Sequence, residues 1–66
     1  MVLQNRIKEL RAKNGLTQEA LAEEAGVSRQ TIIALEQDKY LPSLALAFAL
    51  SAALHATVEE IFIQQQ

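Results

Sequence analysis

Residues equipped for covalent chemistry are scarce in this 66-residue chain, which holds one histidine, His55, no cysteine, and eight acids spread along its length. A nucleophile needs a base within hydrogen-bond reach and a metal needs several ligands. A lone His without Cys, and acids spread on helix exteriors, supply neither. The chemically useful side chains are donors instead. The run SRQTIIA at residues 28–34 holds Arg29, Gln30, the hydroxyls of Ser28 and Thr31, and no acid. A guanidinium presents a planar fork of N–H donors, and a carboxamide sets a donor beside an acceptor, so the pair suits recognition of planar hydrogen-bonding edges rather than their transformation. Ile33, one turn beyond Arg29, adds an apolar contact on the same face. No enzyme activity, cofactor, metal or small-molecule ligand is expected, because a core this small leaves little room for a ligand pocket of about 300 Å3 or more.

The elements that must hold these side chains are helices. The chain is 50% hydrophobic and 5% aromatic, rich in Ala and Leu, with two glycines and one proline, a helix-forming composition. Residues 1–66 read as a single domain. Residues 5–13 form a first helix with Ile7 and Leu10 on one face, closed by Asn14-Gly15. Thr17 caps a second at residues 18–25, and Ser28 caps a third from Arg29 to Glu36 or Gln37. Pro42 keeps Leu41 extended, Ser43 caps a fourth helix through Leu54, and Thr57-Val58-Glu59-Glu60 is a capping box that opens a short fifth helix with Ile61 and Phe62 facing in. Val2 and Leu3 could pair with Ile63 as a ladder of terminal strands, but the alternation is too short to decide it. The polar residues 64–66 are expected to fray.

The second and third helices constrain each other. Where they approach, a small residue is required, and Ala22 supplies it. Gly26 supplies the positive φ of a sharp turn, and Ile32 anchors the third helix. With Leu21, Val27 and Leu35 completing the inner face, the spacing Ala-x3-Gly-x5-Ile agrees with a helix-turn-helix over residues 17–36.

The run GLTQEALAEEAGVSRQTIIALE at residues 15–36, followed by KYLPSL at 39–44 and VEEIF at 58–62, closely resembles the XRE, or Cro/cI-type, regulators, and in particular their compact bacterial members. The resemblance spans residues 4–63. It implies an all-α, five-helix lambda-repressor-like domain that binds double-stranded operator DNA as a symmetric dimer, with the third helix in the major groove. Carried over residue by residue, it sets Arg29 and Gln30 where bases are read, chemistry that fits guanine O6/N7 and adenine N6/N7, with Ile33 against a thymine methyl. Gln18 falls where the family contacts a phosphate, Ser28 and Thr31 are short donors suited to phosphates or base edges, and Lys39 and Tyr40 flank the third helix where they would grip the backbone. Arg11 and Glu36 become a partly buried structural salt bridge. His55, at a position often Gly or Asn, ends the fourth helix.

Two departures stand out. Asp38 occupies a turn position often filled by Gly, and Asp enters the left-handed region at modest cost. Ala45, Ala49 and Ala52 replace the charged residues usual on the outer face of the fourth helix, either because Ala favours helix or because another chain covers them. A single recognition helix buries too little DNA for tight binding, so a homodimer is expected through residues 41–63, involving Leu41, Leu44, Ile61, Phe62 and Ile63, with recognition helices about 34 Å apart. The expected function is a transcriptional repressor. The alternative is an antitoxin-like or coactivator-like adaptor that uses the alanine face, although such a protein would be free to place acids on the exposed side of the third helix, where residues 28–34 hold one Arg and no acid.

Net charge is −2, and a pI near 5.2 argues against a broadly basic nucleic-acid coat. The six bases and six of the acids balance within residues 1–39, leaving Glu59 and Glu60 to supply the deficit. Residues 41–58 carry no charge, but their apolar centre at 44–54 falls short of the about 20 residues a membrane span needs. No secretory signal opens the chain, and the lack of cysteine suits a reducing compartment, so a cytoplasmic location is expected.

Overall fold

Four hydroxyls set where helices begin. The side chains of Thr17, Ser28, Ser43 and Thr57 accept the backbone N–H groups of Ala20, Thr31, Leu46 and Glu60 at 3.0, 3.2, 3.1 and 3.1 Å, each satisfying a donor that the first helical turn leaves unpaired. The computed structural model describes residues 2–39 and 41–65. Its elements are β1 (Val2–Asn5), α1 (Ile7–Lys13), α2 (Gln18–Ala25), α3 (Arg29–Glu36), α4 (Leu44–Leu54), α5 (Val58–Ile61) and β2 (Phe62–Gln65). At Thr57 the bond is reciprocal, since the Glu60 carboxylate accepts the Thr57 N–H at 2.8 Å, completing the capping box.

The helix ends are equally regular. After α1, α2, α3 and α4 the chain enters the left-handed region at Gly15, Gly26, Asp38 and His55, with φ of 68°, 74°, 57° and 53°. In each case the next N–H reaches back into the helix: Leu16 to Arg11 O at 2.9 Å, Val27 to Ala22 O at 3.0 Å, Lys39 to Ala34 O at 3.0 Å and Ala56 to Ser51 O at 3.2 Å. This is the Schellman arrangement, which satisfies carbonyls that would otherwise be orphaned.

Between these boundaries the apolar faces converge. Ile7, Leu21, Ile32, Leu35, Leu50, Leu54 and Ile61 are fully buried, and Leu10, Ala22 and Ala53 complete the cluster. Burying a Leu or Ile side chain contributes about 1.5–3 kcal/mol before chain entropy is counted, so these few residues dominate the fold. Val27, Leu16 and Ala25 pack against the edge of the core.

The terminal strands pair antiparallel, with Val2 opposite Gln65, Leu3 opposite Gln64, Gln4 opposite Ile63 and Asn5 opposite Phe62. The ladder left open by the sequence therefore exists, but Ile63 faces Gln4 rather than Val2 or Leu3. Three expectations change with it. Gln64 and Gln65 belong to a strand. Asn5 ends β1 instead of opening α1, because its backbone is committed to the ladder. Phe62 leaves α5 for extended backbone, φ −112° and ψ 119°, and is half-buried beside the core. Among the described residues, no helix is long and apolar enough to cross a membrane.

Candidate nucleic-acid interface

The helix-turn-helix positions α3 by burying one face and leaving the other open. Ile32 and Leu35 point into the core, 0% and 1% exposed. The helical repeat then turns Arg29 and Gln30 outward, and both are exposed while Ile33 and Ala34 are half-buried. The side chains of Arg29 and Gln30 make no hydrogen bond or ion pair among the described residues. A fork of donors and a carboxamide thus stand side by side on a face without an acid.

Ser28 and Thr31 form a small unit at the helix start. The Ser28 hydroxyl accepts the Thr31 N–H and lies 3.0 Å from the Thr31 hydroxyl. Ser28 is exposed and Thr31 half-buried, so the cap and the first-turn N–H groups form a place where an oxyanion could be received.

Beneath α3 lies a charged network. Glu36, whose side chain is 8% exposed, takes the Arg11 Nε–H at 2.9 Å and a second Arg11 N–H at 3.5 Å. Arg11 also donates to Leu16 O at 3.0 Å, in the α1–α2 turn. The Gln18 amide then donates to Glu36 Oε1 at 3.2 Å. This ties α1, the start of α2 and the end of α3 to one carboxylate. The Arg11–Glu36 pair implied by the resemblance is present. Gln18 is already engaged through one N–H, leaving its second N–H and the α2 N-terminus for any phosphate. Arg11, Thr17, Gln18, Glu19 and Arg29 line a shallow concavity of about 420 Å3, bringing Gln18 and Arg29 to one surface.

Lys39 is exposed just past Asp38. Tyr40 falls outside the described residues. Of the residues expected at a dimer surface, Leu41 is 62%, Leu44 72% and Ile63 39% exposed, whereas Ile61 is 0% exposed. Ile61 belongs to the core because α5 is a single turn whose inward position it fills, so it offers no side-chain surface. Leu41, Pro42, Ser43, Leu44, Ala47, Val58 and Phe62 line an apolar groove of about 300 Å3.

Three features were not legible in the sequence: the exposure of Phe48 and the long-range bonds of Asn14 and Asn5. Phe48 is 60% exposed on α4, one turn from Leu44; an i, i+4 apolar pair on a helix that is apolar all round gives no hint of which side is covered. Asn14 donates to Leu10 O at 2.8 Å and Leu54 O at 3.0 Å, joining the ends of α1 and α4. Asn5 bridges β1 to the end of α3. Their type marks them as capping residues, but the long-range halves of these bonds leave no trace in local pattern.

The fold, the α2–α3 turn and the exposed α3 face define a helix-turn-helix protein. The helix-turn-helix family model matches residues 7–61, and the chain belongs to that family. An uncharacterized HTH-type transcriptional regulator of Methanocaldococcus jannaschii is 51% identical over 63 residues, covering 96% of each chain. The immunity repressor protein of Bacillus phage phi105 is 41% identical over 61 residues, covering 92% of this chain and 42% of the repressor. The crystal structure of SinR, a Bacillus subtilis master regulator for biofilm formation, in complex with DNA superposes with a TM-score of 0.76 at 33% identity, over 82% of this chain and 87% of that one.

Proposed function

We propose that this helix-turn-helix regulator of transcription is a homodimeric repressor that binds a palindromic operator through α3 in the major groove. The observation that carries the reading is the exposed, acid-free face holding Arg29 and Gln30, both unengaged among the described residues, on a helix fixed from below by Arg11, Gln18 and Glu36. In this reading Arg29 donates two N–H bonds to guanine, Gln30 pairs with adenine, and Ile33 meets a thymine methyl. Ser28 and Thr31 at the α3 N-terminus, the free N–H of Gln18, and Lys39 with Tyr40 hold flanking phosphates and fix the register. Residues 17–36 form the reading unit and residues 41–63 the dimer contact. The SinR complex with DNA and the naming of the phage relative as a repressor support DNA and repression, respectively.

Dimerisation falls to the apolar surface around Leu41, Leu44 and Ile63, with Phe48 added and Ile61 removed. An isologous contact seats Leu41 or Leu44 of each copy in the groove of the other. Residues 41–58 carry no formal charge, so two copies meet there without repulsion.

Selection of bound duplexes from a random DNA library, with sedimentation of the protein alone and on the enriched duplex, tests both halves. The expected result is a pseudo-palindrome with half-sites about 10 base pairs apart and a two-copy complex. A flat library, or a protein monomeric at tens of micromolar that stays monomeric on DNA, would overturn the proposal.

A further inference from the structure

Asn5 stands where the terminal ladder meets the end of the reading helix. Its Oδ1 accepts the Ile7 N–H at 3.1 Å, and its Nδ2 donates to Leu35 O and to Asp38 Oδ1, each at 2.7 Å. Both donors and the acceptor are therefore used. The opposite amide orientation would set a carbonyl oxygen against Leu35 O and a carboxylate, and an NH2 group against an N–H, so the partners select one orientation.

The two acceptors matter because of where they lie. Leu35 O is in the last turn of α3. Asp38 holds the left-handed conformation, φ 57°, that a residue with a side chain adopts at a cost of about 1–2 kcal/mol. Lys39 follows, and its N–H closes the Schellman bond to Ala34 O at 3.0 Å. A donor that pins the Asp38 carboxylate stabilises the turn that aims Lys39. On its other side Asn5 is held by the ladder: it faces Phe62 across the strands, and the next N–H, from Arg6, donates to Ile61 O at 2.8 Å.

We propose that Asn5 is a positioning residue that makes the α3 exit turn, and with it the placement of Lys39 against DNA, depend on closure of the terminal β1–β2 ladder. The DNA half rests on the function proposed above; the turn half does not. A ladder that opens withdraws the two Nδ2 donors, and Asp38 and Lys39 relax while the core of α2 and α3 stays packed.

Asn5→Asp is the test variant. It keeps the shape and the acceptor for the Ile7 N–H, adds a favourable charge at the α1 N-terminus, and removes both donors facing Leu35 O and Asp38. Asp38→Asn in the same chain restores one bond in the reverse sense, with Asn still suited to positive φ. Asp38→Asn alone completes the cycle and accounts for the loss of an acid near DNA. Amide hydrogen exchange and binding to the enriched duplex are measured where circular dichroism shows every variant folded.

Asn5→Asp is expected to speed exchange of the Lys39 amide about tenfold relative to Leu21 and Leu50 and to weaken DNA binding about tenfold, the size of a lost charge-assisted bond. Measured against Asp38→Asn alone, the double variant recovers most of both. Unchanged Lys39 exchange overturns the proposal, as does faster exchange with unchanged affinity. Failure of the wild-type protein to bind DNA overturns the proposed function, and exchange at Lys39 then decides whether Asn5 holds the turn.

Discussion

Glu36 shows how much one side chain carries in a chain this small. Its carboxylate is 8% exposed and receives N–H groups from Arg11 and Gln18, so it is compensated only while they stay. Removing one partner of a buried pair leaves a charge out of water without compensation. Arg11→Ala is therefore expected to lower unfolding free energy by about 3 kcal/mol in urea titration, a large share of what such a domain has. Glu60 behaves differently because it is exposed. The Thr57 backbone N–H first, and its hydroxyl second, hold the Glu60 carboxyl below its ordinary value of 4.5. A carboxyl depressed in the folded state contributes stability above its unfolded pKa and loses it as pH falls through the folded value. Thermal melts are expected to decline as pH drops below about 4.5, and Glu60→Gln to flatten that limb. The Arg11–Glu36 pair was legible through resemblance, and the Thr57–Glu60 box from four consecutive residues. The bonds of Gln18 to Glu36 and of Asn5 to Leu35 and Asp38 were not, because each joins residues that only the packed helices bring together.

The helices were readable because their boundaries are local. Thr17, Ser28, Ser43 and Thr57 are cap types in cap positions, and α2 and α4 run as their sequences imply. The terminal strands were not readable, since a ladder of four residues per strand closes between the two ends of the chain and gains its stability from the neighbouring helices rather than from alternation. The four left-handed exits offer a test at this scale. Gly15 and Gly26 adopt positive φ freely. Asp38 is pinned by Asn5. His55, φ 53°, is exposed at the end of α4 and gains nothing from its side chain there. His55→Gly should relieve the left-handed cost of about 1 kcal/mol and, after the entropy glycine adds to the unfolded chain, stabilise the protein by roughly half of that in denaturant titration. Asp38→Gly should bring less, because it discards the bond from Asn5.

On the scale of the molecule, charge and apolar surface are segregated. Residues 1–39 carry every base, the α3 face carries none of the acids, and Glu59 and Glu60 account for the net −2. The acidic pI thus misleads about the partner, since it averages a reading face with an acidic C-terminal part. Under the proposed function few cations meet the DNA and counterion release is small, so discrimination would rest on dimer geometry and a few base contacts. The alanines of α4 were ambiguous in sequence. Leu44 and Phe48, 72% and 60% exposed beside them, shift the balance towards a covered surface, because isolated alanines favour helix but large exposed apolar groups do not. Whether α3 reads DNA through Arg29 and Gln30 is decided by fluorescence anisotropy. Wild type and the Arg29→Ala, Gln30→Ala double variant are titrated with the enriched duplex and with a random duplex of equal length. The wild type is expected to prefer the enriched duplex and the double variant to lose about 1–3 kcal/mol per contact there, so that the two duplexes bind nearly alike. Equal wild-type binding to both, or binding unaffected by the double change, would contradict it.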